Sequence, residues 1–285
     1  MEIKSIALNF NGKTNVLQRR RLASFVRNYF RTPKTDGDVF VKSETNILDN
    51  LKKIKLKEQI NAGRSAKVYK TNFDGYVIRL VHNCKFTPKE LKPVNDSNGL
   101  IIAENGDNTI QLMKFMRGEP LYGNDWKISC PVSKTDYLKT FNIVRNLPDK
   151  TFSDYIQKVI NLRKIGYDID TINPNNFLLD KDTINIVDID KHVIGPWTKI
   201  DLDDFNAFVN KRQIKYVIRN MNLLELRQYA KDIRVFYDRM AKIAQEEGYD
   251  IGTPKFRYIS SDATNIIACL YNKKWLKLHR LVNKL

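Results

Sequence analysis

The sequence predicts a bilobal α+β fold, with a small antiparallel β lobe first and a mainly helical lobe after it. Three observations carry this. Residues 55–82 alternate polar and apolar side chains between turn residues at Gly63 and Asp74-Gly75. Residues 100–116 form a second such segment around Asn105-Gly106, a dipeptide suited to a tight hairpin turn. After Gly118-Glu119-Pro120 the apolar spacing lengthens to three and four, the period of a helix. The boundaries expected from this are a basic N-terminal helical extension over 1–50, a β lobe over 51–120, and a helical lobe with a C-terminal extension over 121–285.

The elements follow in order. Residues 15–31 predict a short basic helix, in which Leu17, Leu22, Phe25, Val26, Tyr29 and Phe30 alternate with five arginines. Thr32-Pro33 ends it, because proline disfavours helical backbone in the residue before it. Such a helix either docks on the body or faces an anionic membrane surface or a partner. Residues 55–82 predict strand, glycine turn, strand, tight turn, strand. Thr87-Pro88-Lys89-Glu90 carries a helix-start pattern, with Thr as cap and Pro at the first position. Residues 134–166 predict a helix with Tyr155, Ile156, Val159, Ile160 and Leu162 on its apolar face. FLLDKDTINIVDID (177–190) predicts two short strands around Asp180-Lys181-Asp182. Leu226, Tyr229, Ile233, Phe236, Tyr237, Met240 and Ile243 predict one long helix ending near Gly248. Ser261-Asp262 then caps a last helix through Leu270, followed by a terminal stretch.

Composition narrows the class. The 285 residues are 42% hydrophobic and 28% charged, with 12 Gly and 9 Pro, which excludes collagen-like and broadly disordered chains. The net charge is +17. It is spread as +7 over residues 1–60, +4 over 61–200 and +6 over 201–285, so it forms no single basic arm. A positive field attracts nucleic acid, anionic membrane, acidic protein surface and nucleotide phosphate alike. No recognised module or aromatic-basic motif supports nucleic acid. Cys84, Cys130 and Cys269 lie far apart, which fits a reduced compartment. Three scattered histidines make no zinc cluster. No apolar run reaches the ~18 residues of a spanning helix. The start, MEIKSIALNFNGK, lacks the core of a cleaved signal peptide. The expectation is a soluble protein, cytoplasmic or exported by an uncleaved signal.

Four features in fixed order point to chemistry. Gly63-Arg64-Ser65 is a turn between strands whose backbone N–H groups suit phosphate. Arg79, in Val77-Ile78-Arg79 on the next strand, is a cation suited to the same anion. Asp170-Thr171-Ile172-Asn173-Pro174-Asn175-Asn176 pairs a carboxylate with carboxamides just before an apolar strand. There the acid orients a hydroxyl proton and an amide oxygen holds a divalent metal. Asp188, in Ile186-Val187-Asp188-Ile189-Asp190, sits at a strand end and completes an oxygen site for Mg²⁺. A hinge-like segment, Met113-Lys114-Phe115-Met116-Arg117-Gly118-Glu119-Pro120-Leu121, lies between the second and third features. Taken singly, each is also an ordinary turn, surface arginine or strand cap.

On these residues, roughly 56–195 resembles the protein-kinase-like superfamily, and specifically the small bacterial type III effector kinases of the NleH/OspG group. NGDNTIQLMKFMRGEPL is similar to that group's strand and hinge, Asp170 through Asp180 to its catalytic loop, and Val187-Asp188-Ile189-Asp190 to its metal-binding aspartate. The resemblance implies a protein-kinase-like fold that uses ATP and Mg²⁺ to phosphorylate protein Ser/Thr, in an effector secreted into a host cell. It implies Asp170 as the catalytic aspartate, Asn176 and Asp188 as metal ligands, and Arg79 in place of the phosphate-binding lysine. Gly63, Ser65, Lys114 and Met116 would line the nucleotide. The chain departs from the pattern in four places. Asp170 and Asn176 are six apart where the family has five, which leaves Asn175 as an alternative ligand and Thr171 as an alternative to the acid. Arginine replaces lysine at 79, and a planar fork is not a compact point charge. Glu90 is the nearest candidate for the helix glutamate that pairs with that cation. Asp190 stands where a glycine follows the metal aspartate by two. Two other readings remain: a catalytically impaired scaffold that binds a partner protein, and a small-molecule or lipopolysaccharide-type kinase served by the long helical region.

Overall fold

The computed structural model describes residues 45–62, 66–81, 83–122, 133–171, 173–191, 198–211, 213–249, 251 and 262–283. The basic helix expected over 15–31 lies outside the described residues. The chain divides into two compact units, Met1–Phe40 and Val41–Leu285, and all described elements belong to the second.

The fold is mixed α+β. A short helix α1 (Thr45–Asp49) and a 3-10 turn (Leu51–Lys53) lead into a six-stranded antiparallel sheet. Its strands are β1 (Leu56–Ala62), β2 (Ala66–Thr71), β3 (Tyr76–Val81), β4 (Lys92–Pro93), β5 (Ile101–Glu104) and β6 (Ile110–Lys114), in the order β1-β2-β3-β6-β5-β4. Both expected hairpin segments are present. β3 is central, and its register fixes two different faces. Ile78 and Leu80 lie opposite Leu112 and Ile110, whereas Val77 and Arg79 lie opposite Met113 and Gln111. Because successive side chains in a strand point to opposite faces, these pairs segregate. Ile78, Leu80, Ile110 and Leu112 form one core with Ile47, Leu51, Ile54, Leu91 and Ala103. Val77, Ile101 and Met113 join the larger core of the helical part. Arg79 therefore faces the helical part.

The helix expected from Thr87 does not form. Pro88–Glu90 makes a single 3-10 turn, Thr87 is extended and its side chain caps nothing. Leu91 is already extended, and Pro93 sits two residues on, where it disfavours helix at Lys92.

β7 (Glu119–Pro120) joins a three-stranded sheet with β9 (Phe177–Asp180) and β10 (Thr183–Ile186), and β8 (Tyr167–Asp168) pairs with β11 (Asp190–Lys191). The first lies as a hairpin around Lys181, whose φ is 55°. The helix expected over 134–166 is two helices, α2 (Lys134–Arg145) and α3 (Asp149–Lys164). Pro148 has no N–H to continue α2 and instead begins α3. A 3-10 segment (Leu202–Val209), α4 (Ile214–Arg219), α5 (Leu223–Glu246), α6 (Asp262–Tyr271) and α7 (Trp275–Asn283) complete the order. α7 lies in the terminal stretch beyond Leu270, within the region expected to be a helical C-terminal extension. α5 starts at a reciprocal cap between Asn222 and Glu225.

The second core is aromatic. Phe236 meets Phe141 and Phe152 edge to face, Tyr155 meets Phe177 and Phe208 in the same way, and Phe152 against Phe208 joins the two groups. Such pairs add about 0.5–1.5 kcal/mol each beyond the area they bury. This cluster holds α3 and the 202–209 segment against Phe177, the residue that follows the 169–176 loop. No helix of the described residues is long and apolar enough to cross a membrane.

Candidate functional site

Arg79 is 5% exposed. Its guanidinium donates through Nη1 to Gln111 Oε1 at 3.1 Å and through Nη2 to Asp188 Oδ1 at 3.2 Å. Gln111 is opposite Arg79 in the β3–β6 register and is itself buried. The ion pair is one-sided, since the Asp188 side chain is 44% exposed. Water screens such a pair, so its main consequence is the orientation of the two groups and not stability. Glu90, the expected carboxylate partner, is exposed on its 3-10 turn. Arg79 pairs with a sheet amide and with Asp188, and Glu90 stands exposed, which corrects that expectation. The physical reason is the missing helix: nothing carries residue 90 inward.

The loop before β9 is organised by asparagines. Asn176 is buried, and its Nδ2 donates to the Asp170 carbonyl at 3.0 Å. Its Oδ1 accepts from Asn173 Nδ2 at 3.1 Å. Asn173 Oδ1 accepts from the Asn175 N–H, an Asx-type turn that starts the Pro174–Asn176 3-10 turn. The Asn176 carbonyl accepts from the Val187 N–H at 2.9 Å. Asn176 is thus tied on one side to Asp170 and on the other to the residue before Asp188. Asn175 is only partly buried, and the Asp170 side chain stands exposed at the loop surface. The Thr171 hydroxyl donates to the Asp203 carbonyl at 3.4 Å.

A buried cation anchors this loop from behind. Arg163, at the end of α3, makes a two-pronged pair with Asp204, from Nη2 to Oδ1 at 2.7 Å and Nη1 to Oδ2 at 2.9 Å. It also donates to Asp168 Oδ1 and to the Lys199 carbonyl. Burial pulls its pKa down, but the hydrogen bond and charge of Asp204, followed by Asp168, outweigh this and leave it raised. Lys211, buried just after the 202–209 segment, has its pKa lowered by burial, with Asp203 and Asp170 opposing the shift. So Lys211 shares the surroundings of Asp170.

The β sheet is also fastened to α3 and β8. The Asp96 carboxylate accepts from the N–H groups of Asn98, Leu100 and Ile101. Asn98 in turn donates to the Lys158 carbonyl at 3.1 Å and accepts from Asn161. Tyr167 donates to Glu104, and burial followed by that carboxylate raises the phenol pKa.

Of the other predicted residues, Gly63 and Ser65 lie outside the described residues. Lys114 is exposed at the end of β6, and Met116 packs partly buried against the large core. Gly118 has φ +128°, and a Cβ there would stand 2.9 Å from the Leu179 carbonyl carbon. The hinge-like segment therefore runs hard against β9.

The donors suited to a cation are oxygens, from Asp188 and Asn176, and such a set fits Mg²⁺. Among the described residues no group of three or more His, Cys, Asp or Glu side chains is assembled. Any metal held here would take its remaining ligands from phosphate and water.

Sequence reasoning missed Gln111, Arg163, Asp204 and Lys211, and it quoted Asn173 in the loop without giving it a role. Gln111 was within reach, because pairing the two predicted hairpin segments brings it opposite Arg79. The Arg163–Asp204 pair spans 41 residues and leaves no local signal. No protein-family model matches the chain, and no curated protein matches it.

Proposed function

We propose that this protein is an ATP- and Mg²⁺-dependent phosphotransferase of bilobal, protein-kinase-like architecture, acting on hydroxyl groups of protein Ser/Thr. The observation that supports it best is the meeting of Arg79 and Asp188, which are 109 residues apart and which the sequence had assigned to one nucleotide. The strand order β1-β2-β3-β6-β5-β4, followed by the Asn176 loop, the β9–β10 hairpin and Asp188, agrees with that reading.

In this reading Arg79 holds nucleotide phosphate with a planar fork of donors. Asp188 and Asn176 would hold Mg²⁺, which supplies neutralising charge to the phosphates when bound. Asp170, exposed at the loop surface, orients the acceptor hydroxyl and accepts its proton. Rate comes from positioning and charge compensation, with the protein forming no covalent bond. Asn176 is favoured over Asn175 because its amide is fixed toward the Asp170 carbonyl. The resemblance to secreted effectors makes a host protein the natural acceptor.

A second reading, a nucleotide-binding scaffold without turnover, draws on the exposed Glu90 and on arginine at position 79. Incubation of the full chain with γ-labelled ATP and Mg²⁺ separates the two. Autophosphorylation abolished by Asp188→Ala and by Asp170→Asn supports the transferase. Nucleotide-induced thermal stabilisation without label transfer supports the scaffold. Label transfer that survives Asp188→Ala refutes the assignment of the site.

A further inference from the structure

A buried guanidinium must be told where to point. It keeps its charge at every accessible pH, and its five N–H donors lie in one plane. Two acceptors on different branches fix that plane, and in Arg79 they are Gln111 Oε1 on Nη1 and Asp188 Oδ1 on Nη2. The two acceptors differ in kind. Asp188 is nearly half exposed and follows a hairpin, whereas Gln111 is 1% exposed and lies in the neighbouring strand of the same sheet. Gln111 is also neutral, so it orients Arg79 without cancelling its charge.

We propose that Gln111 is the positioning residue for Arg79, and that the phosphate clamp is set by the β3–β6 register itself. The inference rests on the phosphotransferase reading and deepens it. The five-pair register from Tyr76 to Leu80 against Ile110 to Lys114 cannot slip by one residue without turning Ile78, Leu80, Ile110 and Leu112 out of their core. Arg79 is therefore held in its binding orientation whether or not nucleotide is present. Residues 88–90, where a helix glutamate was expected to pair with this cation, make only one 3-10 turn with Glu90 exposed.

The test uses four full-length proteins: wild type, Arg79→Met, Gln111→Met and the double variant, with Gln111→Glu as a control. Methionine keeps the volume of glutamine and removes the acceptor. MgATP affinity by calorimetry should fall about tenfold or more in Gln111→Met, the effect of losing a hydrogen bond to a charged group. In the Arg79→Met background the same change should have little further effect. Gln111→Glu, which keeps an acceptor oxygen, should bind more tightly than Gln111→Met. Wild-type affinity in Gln111→Met, or losses that simply add in the double variant, would overturn the role of Gln111. Unfolding by urea on the same proteins without nucleotide gives an independent cycle, in which the pair should again be non-additive. If wild type binds no MgATP, the phosphotransferase reading falls and the clamp with it. If wild type binds MgATP and both cycles are additive, only the Gln111 assignment falls.

Discussion

Replacing Arg163 by methionine should be among the most damaging single changes in the chain. The guanidinium is 5% exposed and the Asp204 side chain 7%. Removing the cation strands a buried carboxylate that also accepts the Asp201 N–H at 2.9 Å. Breaking a buried pair from one side costs about 3–5 kcal/mol, against a total stability of roughly 5–15 kcal/mol for a folded domain. The loss falls on the root of the 169–176 loop, because Arg163 also holds Asp168 and the Lys199 carbonyl. Urea unfolding followed by circular dichroism measures it. The double variant Arg163→Met/Asp204→Leu removes both charges and should recover a large part of the loss, since an apolar pair of similar volume is often as stable as the ion pair it replaces. A single-variant cost below about 1 kcal/mol, smaller than any buried pair should show, would refute the reasoning. So would a double variant as unstable as the sum of the two single ones.

Three other outcomes follow from the same structure. Gly118→Ala should destabilise by at least about 2 kcal/mol in denaturant titration, because alanine is strained at φ +128° and its Cβ meets the Leu179 backbone. Asn173→Ala removes the group that holds Asn176 Oδ1 and the Asn175 N–H; it should cost about 1 kcal/mol of stability, and under the phosphotransferase reading it should slow transfer more than it weakens nucleotide binding. The carboxyls of Glu225 and Glu247 have lowered pKa values, the first through its hydrogen bond from Lys134, the second through those from Ser153 and Gln157. Their stabilising effect is present above the ordinary glutamate pKa of 4.5 and fades as pH falls through the lower folded values. The stability gap between wild type and Glu225→Gln/Glu247→Gln, read from unfolding curves between pH 7 and pH 3, should therefore shrink on acidification; a gap that widens contradicts the assignment.

The strands were legible because their signals are local. Asp74-Gly75 and Asn105-Gly106 mark the two turns, the second a loop over 105–109 with its left-handed residue at Asn108, and the alternation in YVIRLV and IQLMK places Val77, Arg79, Gln111 and Met113 on one face. α5 was legible for the same reason, its apolar positions stepping by three and four to Gly248. The helix expected at Thr87 failed because a cap signature only starts a helix. Propagation needs several uninterrupted residues, and Pro93 arrives too soon. The division of 134–164 at Pro148 was readable, but the apolar face of α3 masked it. The site was legible as residue types in order, and its supports were not. Arg163 finds Asp204 only after α3 and the 202–209 segment pack around Phe152, Tyr155 and Phe208. The fate of Glu90 depended on whether a helix formed beneath it.

Under the phosphotransferase proposal, Arg79, Asn176 and Asp188 converge on the phosphates of one nucleotide. Crystals grown with a non-hydrolysable ATP analogue and Mn²⁺ test it directly, since the anomalous signal locates the metal. The expected result is an anomalous peak bound by Asp188 and Asn176, with phosphate oxygens against the Arg79 guanidinium. A metal peak elsewhere, or a nucleotide bound away from Arg79 and Asp188, would contradict it.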